Sequence, residues 1–239
     1  MDNTVFVGDI HGDLEFVQFI DKQYKTWKKV FVGDYLDSLY HSPDHCIKAI
    51  QYVLMMTERG DTQALLGNHE ISYLFPGNRC SGWNRIIDIQ LIHLQNWIHK
   101  KFLWYLWIPE HKIFVTHAGL TRYLWNDATL TFDNLFETLD QWKRQDLRIS
   151  KFGWIGKARG GIDPFGGPFW CDFEKEFQPI EGLIQIFGHT PGETIRQVGS
   201  NYNINQFEMM AVREVLEFVE GQFQIAKYQT INFGVFEKI

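Results

Sequence analysis

Short apolar runs that stop at a small residue recur along this chain, and each is followed by a polar side chain of the kind that binds metals. Val5-Phe-Val-Gly8 leads to Asp9 and His11, and Lys29-Val-Phe-Val-Gly33 ends in Asp34. Ala64-Leu-Leu-Gly67 ends in Asn68-His69, Ile113-Phe-Val-Thr116 in His117, and Ile184-Gln-Ile-Phe-Gly188 in His189. Apolar runs of this length, bounded by turn signals, read as buried strands. Helical patterns lie between the first three. Asp13 is placed to cap a helix carrying Leu14, Val17, Phe19, Ile20 and Tyr24 near one face. Ser42-Pro43 opens a second helix, with Ser at the cap and Pro at the first helical position. Its core stripe is Ile47, Ile50, Val53 and Leu54, and Gly60 closes it. Residues 5–70 therefore read β-α-β-α-β, the order of a parallel, helix-covered sheet.

The pattern loosens after His69. Residues 76–82 read as a loop, and Trp83 to Phe102 as one long helix with Ile86, Ile87, Leu91, Leu94, Trp97 and Ile98 apolar. Pro109 breaks into the fourth strand, and a further helix fits Asp133 to Asp146. A glycine-rich segment, Gly153 to Gly167, carries Lys157, Arg159 and Asp163 and reads as an irregular functional loop. The tail reads as strands near 194–197, 202–205 and 214–219, then a Glu220-Gly221 turn into 223–228. An all-β tail behind a βαβ start predicts an α/β (α+β) fold of two mixed sheets packed as a sandwich, with helices outside. No linker, low-complexity tract or repeat divides the chain, so residues 1–239 are expected to form a single domain.

Composition narrows the class. The chain has 239 residues, 45% of them hydrophobic, enough for a substantial core. The nine Trp read as core and cleft wall. A net charge of −6 without any Lys/Arg run argues against dedicated nucleic-acid binding. Cys46, Cys80 and Cys171 form no C-x-x-C pair, as in a reduced protein without a disulfide frame. The amino terminus enters a strand at once, without a signal-peptide pattern, and the most apolar stretch, Phe102 to Ile108, is too short to span a bilayer. A cytoplasmic location and no membrane partner are expected.

The strand-end ligands carry the chemistry. A lone Gly-Asp after a strand is usually just a turn, and His93 and His99, without ligand-like neighbours, read as ordinary histidines. Five coincident deliveries ask instead for one shared site, because crevices form at the C-terminal ends of strands in open α/β sheets. Asp9, His11, Asp34, Asn68, His117 and His189 offer two carboxylates, one amide and three imidazoles. That exceeds one tetrahedral zinc site and suits two adjacent divalent ions sharing a carboxylate. Such a pair activates a water as hydroxide for in-line attack at phosphorus. A general acid must then protonate the leaving oxygen. His69, next to ligand Asn68, is the candidate, and Asp37 is placed to hold its tautomer.

Gly8-Asp-Ile-His-Gly12, Gly33-Asp-Tyr-Leu-Asp37, Gly67-Asn-His-Glu70, His117-Ala-Gly-Leu120 and Gly188-His-Thr190 resemble the motifs of the calcineurin-like metallophosphoesterases. Within that family they are most similar to the bacterial and phage branch of the phosphoprotein (serine/threonine) phosphatases, which includes diadenosine tetraphosphatase relatives. The resemblance implies the metallo-dependent phosphatase-like four-layer fold. It implies that Asp9 and His11 hold the first metal, that Asp34 bridges, and that Asn68, His117 and His189 complete the second. His69, oriented by Asp37, would be the acid. Two divalent ions are implied, manganese first, with iron or zinc as alternatives. The sequence departs from the family where Ser38-Leu39 follows Asp37 in place of a phosphate-clamping Arg-Gly. Arg159 resembles the family's second phosphate arginine, Asn68 is placed to touch substrate phosphate, and Arg79 is the candidate replacement for the missing one. Pro191 stands where nuclease branches carry a further histidine ligand. The first reading is a serine/threonine protein phosphatase acting on phosphorylated protein. The second is a hydrolase of dinucleoside polyphosphates or other nucleotides, with Trp83, Tyr123, Trp125, Trp154, Phe169 and Trp170 as candidate cleft-wall rings. The third is an inactive phosphoprotein-binding scaffold.

Overall fold

The computed structural model describes residues 3–75, 77, 80–232 and 234–239. Its start follows the expected order: β1 (Thr4–Val7), α1 (Leu14–Gln23), β2 (Lys28–Phe31), α2 (Pro43–Glu58) and β3 (Thr62–Ala64). β1 pairs in parallel with β2, and β2 with β3. Asp13 caps α1 by accepting a hydrogen bond from Phe16 N at 3.0 Å, and Ser42 caps α2 by accepting from His45 N. Each cap is worth about 1 kcal/mol. The two helices bury Phe16, Val17, Ile20, Ile47, Ile50, Val53 and Leu54 in one cluster with Val5, Val7 and Phe31 of the strands.

A second sheet is built from β4 (Leu106–Ile108), β5 (Ile113–Val115), β6 (Ile184–Phe187), β7 (Arg196–Val198) and β8 (Asn201–Asn203), in the order β4-β5-β6-β8-β7. Within it β5, β6 and β8 run parallel. The tail strands β9 (Val212–Val219), β10 (Gln222–Asn232) and β11 (Val235–Lys238) join the first sheet, which is ordered β11-β10-β9-β1-β2-β3. The predicted Glu220-Gly221 turn joins β9 to β10 with both residues at positive φ, 50° and 85°, as a type I′ hairpin requires.

The two sheets meet through the opposite strand faces. Phe6, Val30 and Val32 from one side and Ile113, Val115 and Ile186 from the other share a buried cluster with Leu65. The period-2 alternation of a strand sends Val5 and Val7 toward the helices and Phe6 toward the facing sheet. Each such side chain contributes roughly 1.5–3 kcal/mol by leaving water. This is the two-sheet, helix-flanked arrangement that the pattern predicts.

The middle of the chain differs from expectation. The stretch 83–102 is two helices, α4 (Arg85–Leu91) and α5 (Gln95–Lys101), not one. Between them Leu94 N bonds Leu91 O and Trp97 N bonds Leu94 O, which tightens the turn to an i→i+3 pattern. Four isoleucines between 86 and 92 weaken the helix there. Pro109 leads through a short turn into the strand expected at 113–116, here β5, while the edge strand β4 within Phe102–Ile108 was not foreseen. The helix expected at 133–146 is the shorter α7 (Leu135–Lys143), and α6 (Arg122–Asp127) and β11 were not foreseen. Helix α3 (Asn68–Leu74) begins directly at the candidate site.

Candidate metal centre and cleft

Six parallel strands, three from each sheet, end at one crevice. β1 delivers Asp9 and His11, β2 delivers Asp34 and β3 delivers Asn68; β5 and β6 deliver His117 and His189, and β8 delivers Asn205. The glycines that stop these strands leave room for the carboxylates. A Cβ on Gly67 would lie 2.2 Å from Asp34 Oδ1, and one on Gly188 2.1 Å from Asp9 Oδ1. His11, Asp34, Asp37 and His189 all sit at positive φ, between 43° and 68°. Non-glycine residues accept that conformation only under surrounding constraint, and such strain concentrates at functional sites.

Asp34 Oδ2 is the hub. It lies 3.2 Å from His117 Nε2, 3.9 Å from His69 Nε2 and 4.0 Å from His11 Nε2. His117 Nε2 is also 2.9 Å from Asn68 Oδ1 and 3.2 Å from His189 Nδ1, which is itself 2.8 Å from Asn68 Oδ1. Ligands bound to one ion at about 2.0–2.2 Å stand roughly 3–3.4 Å apart, so these four atoms are spaced as a coordination sphere. Their chemistry fits too, since carboxylate, amide and imidazole lone pairs all turn toward one point. The far nitrogens are tied back: His11 Nδ1 bonds the carbonyls of Leu36 and Asp37, and His117 Nδ1 that of Val32. This fixes the tautomer that leaves Nε2 free to ligate. His189 Nε2 is buried without a partner, and the ring is held by the edge of Trp170 at 5.7 Å.

Asp9 lies 4.0 Å from His11 Nε2 and is oriented by Asn205, whose Nδ2 donates at 2.7 Å, and by His189 N. Burial raises Asp9 to about 6, with Asp34 adding to the rise and His117 opposing it. Burial also works against Asp34, but His117, His69 and His11 outweigh it and hold Asp34 ionised, below its ordinary range. A crowded anionic hub of this kind favours a cation among its ligands.

His69 joins the hub to a second network. Its Nδ1 lies 2.9 Å from Asp37 Oδ2 while Nε2 faces Asp34 and the cleft. Burial lowers its proton affinity, but Asp34 and the Asp37 hydrogen bond raise it well above the ordinary imidazole value. Asp37 Oδ1 accepts from Tyr73 Oη, and Cys80 Sγ lies 3.5 Å from His69 Nδ1.

Two supports escaped the sequence reading. Glu70 is fully buried and accepts from Asp34 N, Tyr35 N, Leu36 N and Gly67 N at 2.8–3.2 Å, clamping the turn that presents Asp34. Asn205 could have been found, because it ends a predicted strand as the candidate ligands do.

The cleft, about 390 Å³, is lined by His11, Asp34, Asn68, His69, Arg159 and His189, with Leu39, Tyr40, Phe207 and Glu208 at its rim. Arg159 is held by Asp172 Oδ2 at 3.0 Å and Thr190 Oγ1 at 2.7 Å. Of the wall rings proposed from sequence, Trp170 lines the cleft; Trp83, Tyr123, Trp125, Trp154 and Phe169 do not. Trp83 stacks on Tyr73, Trp125 packs on Phe132, Tyr123 and Trp154 pack on Phe165, and Phe169 joins the core. Arg79 lies outside the described residues. At the departure after Asp37, Ser38 Oγ donates to Glu208 and accepts from Tyr40 N and His41 N.

Comparison with known proteins matches residues 3–193 to the family described as calcineurin-like phosphoesterase. A bis(5′-nucleosyl)-tetraphosphatase (asymmetrical) of Geobacillus thermodenitrificans is 24% identical over 236 aligned residues, covering 83% of each chain. Among solved structures, a cold-active protein-tyrosine phosphatase of a psychrophilic Shewanella matches all of this chain and 80% of its own, at TM-score 0.63 and 16% identity. A protein serine/threonine phosphatase of Saccharomyces cerevisiae matches 96% of this chain and 80% of its own, at TM-score 0.56 and 14% identity. At those identities the two structures speak to the fold alone.

Proposed function

The chain belongs to the calcineurin-like phosphoesterases, and on that premise we propose that it hydrolyses phosphoesters at a two-metal centre, with nucleoside polyphosphates as its substrate class. The observation that carries the reading is the convergence of Asp34, Asn68, His117 and His189 within 3.2 Å contacts beside the His69–Asp37 pair. Asp9, His11 and Asp34 would hold one ion, and Asp34, Asn68, His117 and His189 the other. Divalent ions, manganese first, supply charge neutralisation of phosphoryl oxygens and an activated water when bound. Arg159, pre-positioned by Asp172 and Thr190, forks onto phosphate oxygens. His69 Nε2 donates a proton to the leaving oxygen while Asp37 keeps Nδ1–H in place.

The substrate class is argued from the rim and the relative. Tyr40 and Phe207 expose 65% and 49% of their surface beside the cleft. Rings so placed suit stacking on a base, worth about 1–3 kcal/mol each, and the Geobacillus relative is named for a nucleotide substrate. The test compares manganese-dependent turnover of diadenosine tetraphosphate with phosphate release from a phosphoserine peptide. We expect the dinucleotide to be preferred, and Tyr40→Ala with Phe207→Ala to raise its KM about 10-fold or more, in line with lost stacking. Preference for the peptide would return the protein to the serine/threonine phosphatase reading. Manganese uptake without turnover of either would favour the scaffold.

A further inference from the structure

The far edge of the His69 ring carries a group of ligating atoms in which the hydrolytic His69–Asp37 pair is joined by a sulfur that hydrolysis does not use. His69 Nδ1, Asp37 Oδ2 and Cys80 Sγ are separated by 2.9 Å (N to O), 3.5 Å (N to S) and 4.0 Å (S to O). Zinc bonds of about 2.3 Å to sulfur and 2.0–2.2 Å to nitrogen and oxygen place tetrahedral ligand atoms roughly 3.3–3.6 Å apart. The three separations bracket that spacing, so shifts of a few tenths of an ångström (on the order of ordinary side-chain relaxation) seat an ion. The carboxylate is already oriented for it. Tyr73 Oη donates to Asp37 Oδ1 and itself accepts from Asn84 N at 2.7 Å, leaving Oδ2 to the cluster. The loop of Cys80 is pressed onto this spot, since a Cβ on Gly82 would lie 3.2 Å from Asp37 Cβ. Cys80 is half-buried and its neighbour Ser81 lines the cleft, so water can reach the fourth position.

We propose that Cys80, His69 and Asp37 form a third, thiolate-containing site for a soft divalent ion such as zinc, and that filling it switches off the general acid. The hydrolytic centre offers only nitrogen and oxygen; this cluster offers sulfur, so zinc and cadmium are favoured there over manganese. Binding displaces to solvent the thiol proton and the proton on His69 Nδ1, whose places the ion takes. Asp37 Oδ2 exchanges the Nδ1–H hydrogen bond for the ion. His69 then lacks the Asp37 hydrogen bond that orients Nε2 toward the leaving oxygen. The ion binding stands apart from the phosphoesterase reading; the inhibition rests on it.

The test titrates cadmium into the manganese-loaded full chain and follows the ultraviolet thiolate-to-cadmium charge-transfer band. We expect one saturable equivalent in the native protein and loss of the band in Cys80→Ser. No band in the native protein, or an undiminished band in Cys80→Ser, overturns the site. In a second measurement needing no variant, zinc should slow alkylation of Cys80 by iodoacetamide about 10-fold, read by peptide mass spectrometry. An unchanged labelling rate also overturns it. A band that forms while zinc leaves phosphate release untouched removes the switching role. A band without any phosphate release supports the site and strikes the phosphoesterase reading instead.

Discussion

Replacing Glu70 by glutamine tests whether one buried carboxylate holds the metal centre together. Each Glu70 oxygen accepts two backbone N–H groups: Oε2 those of Asp34 and Gly67, Oε1 those of Tyr35 and Leu36. Only an ionised carboxylate satisfies all four. In Glu70→Gln the amide NH2 must face one of the two pairs, whichever way it turns, and two buried donors lose their acceptor. An unsatisfied buried donor costs about 1–3 kcal/mol, so the expected loss is roughly 2–6 kcal/mol. For a chain of this size 1 kcal/mol moves Tm by about 2–4 °C, which predicts a fall on the order of 10 °C. The strained turn that aims Asp34 should loosen as well, weakening manganese affinity about 10–100-fold. Thermal unfolding by circular dichroism and calorimetric manganese titration read the two effects. A variant within about 2 °C of the native Tm, with unchanged manganese affinity, would refute the clamp.

Three further outcomes are expected. His69→Asn should lower kcat about 10²–10⁴-fold while metal content by mass spectrometry stays at the native value, and native turnover would remove His69 as the acid. Arg159→Lys keeps the charge but loses the fork, so kcat/KM should fall about 10–100-fold, the worth of one charge-assisted hydrogen bond. Asp61→Ala leaves the fully buried Lys29 ammonium with only Trp27 O as its hydrogen-bond acceptor, and urea unfolding at neutral pH should show a loss of about 3 kcal/mol, the low end for a broken buried pair because Asp61 is itself part-exposed. Burial would raise the Asp61 carboxyl, but Lys29, Thr62 and Arg59 outweigh it and hold it below 3.8. The pair's contribution is therefore complete above that unfolded value and vanishes as pH falls through the folded one. Native and variant stabilities should converge in acid, and a gap that persists there counts against the linkage.

The convergence of the candidate ligands was legible because its signal is local. A strand, a small residue and a ligand sit within six positions, and the glycines report how closely Asp34 and Asp9 press on Gly67 and Gly188. What escaped depends on distant partners. Glu70 acts on amides about 35 positions away, and Asn205 reaches Asp9 across 196. The rim rings Tyr40 and Phe207 come from opposite ends of the chain, and nothing near them in sequence says that they share a cleft. Trp83 and Phe169, cleft-wall candidates for which core packing is the default, do pack away from the cleft, since an aromatic pattern alone cannot say which rings will line it. The break between α4 and α5 was hidden by an apolar spacing that a continuous helix would also satisfy.

On the proposed reading, the charge around the cleft accounts for phosphoester binding without the arginine that the family carries after Asp37. Asp34 and Glu208 bring negative charge to the crevice, and Arg159, the guanidinium that lines it among the described residues, is already paired with Asp172. A phosphoester anion entering that field alone would be repelled, at about 4 kcal/mol per unit pair at 4 Å for an effective dielectric near 20. Two divalent ions at the proposed centre would reverse the sign of the field, and more strongly than one further arginine could. Glu208 meanwhile does work that an arginine after Asp37 could not: its carboxylate accepts from Ser38 Oγ and Leu39 N, fixing the 38–41 turn that carries Tyr40 to the rim. On the reading proposed above, the departure would exchange a phosphate contact for a rigid aromatic edge and move recognition from the phosphoryl group outward to whatever that group is attached to.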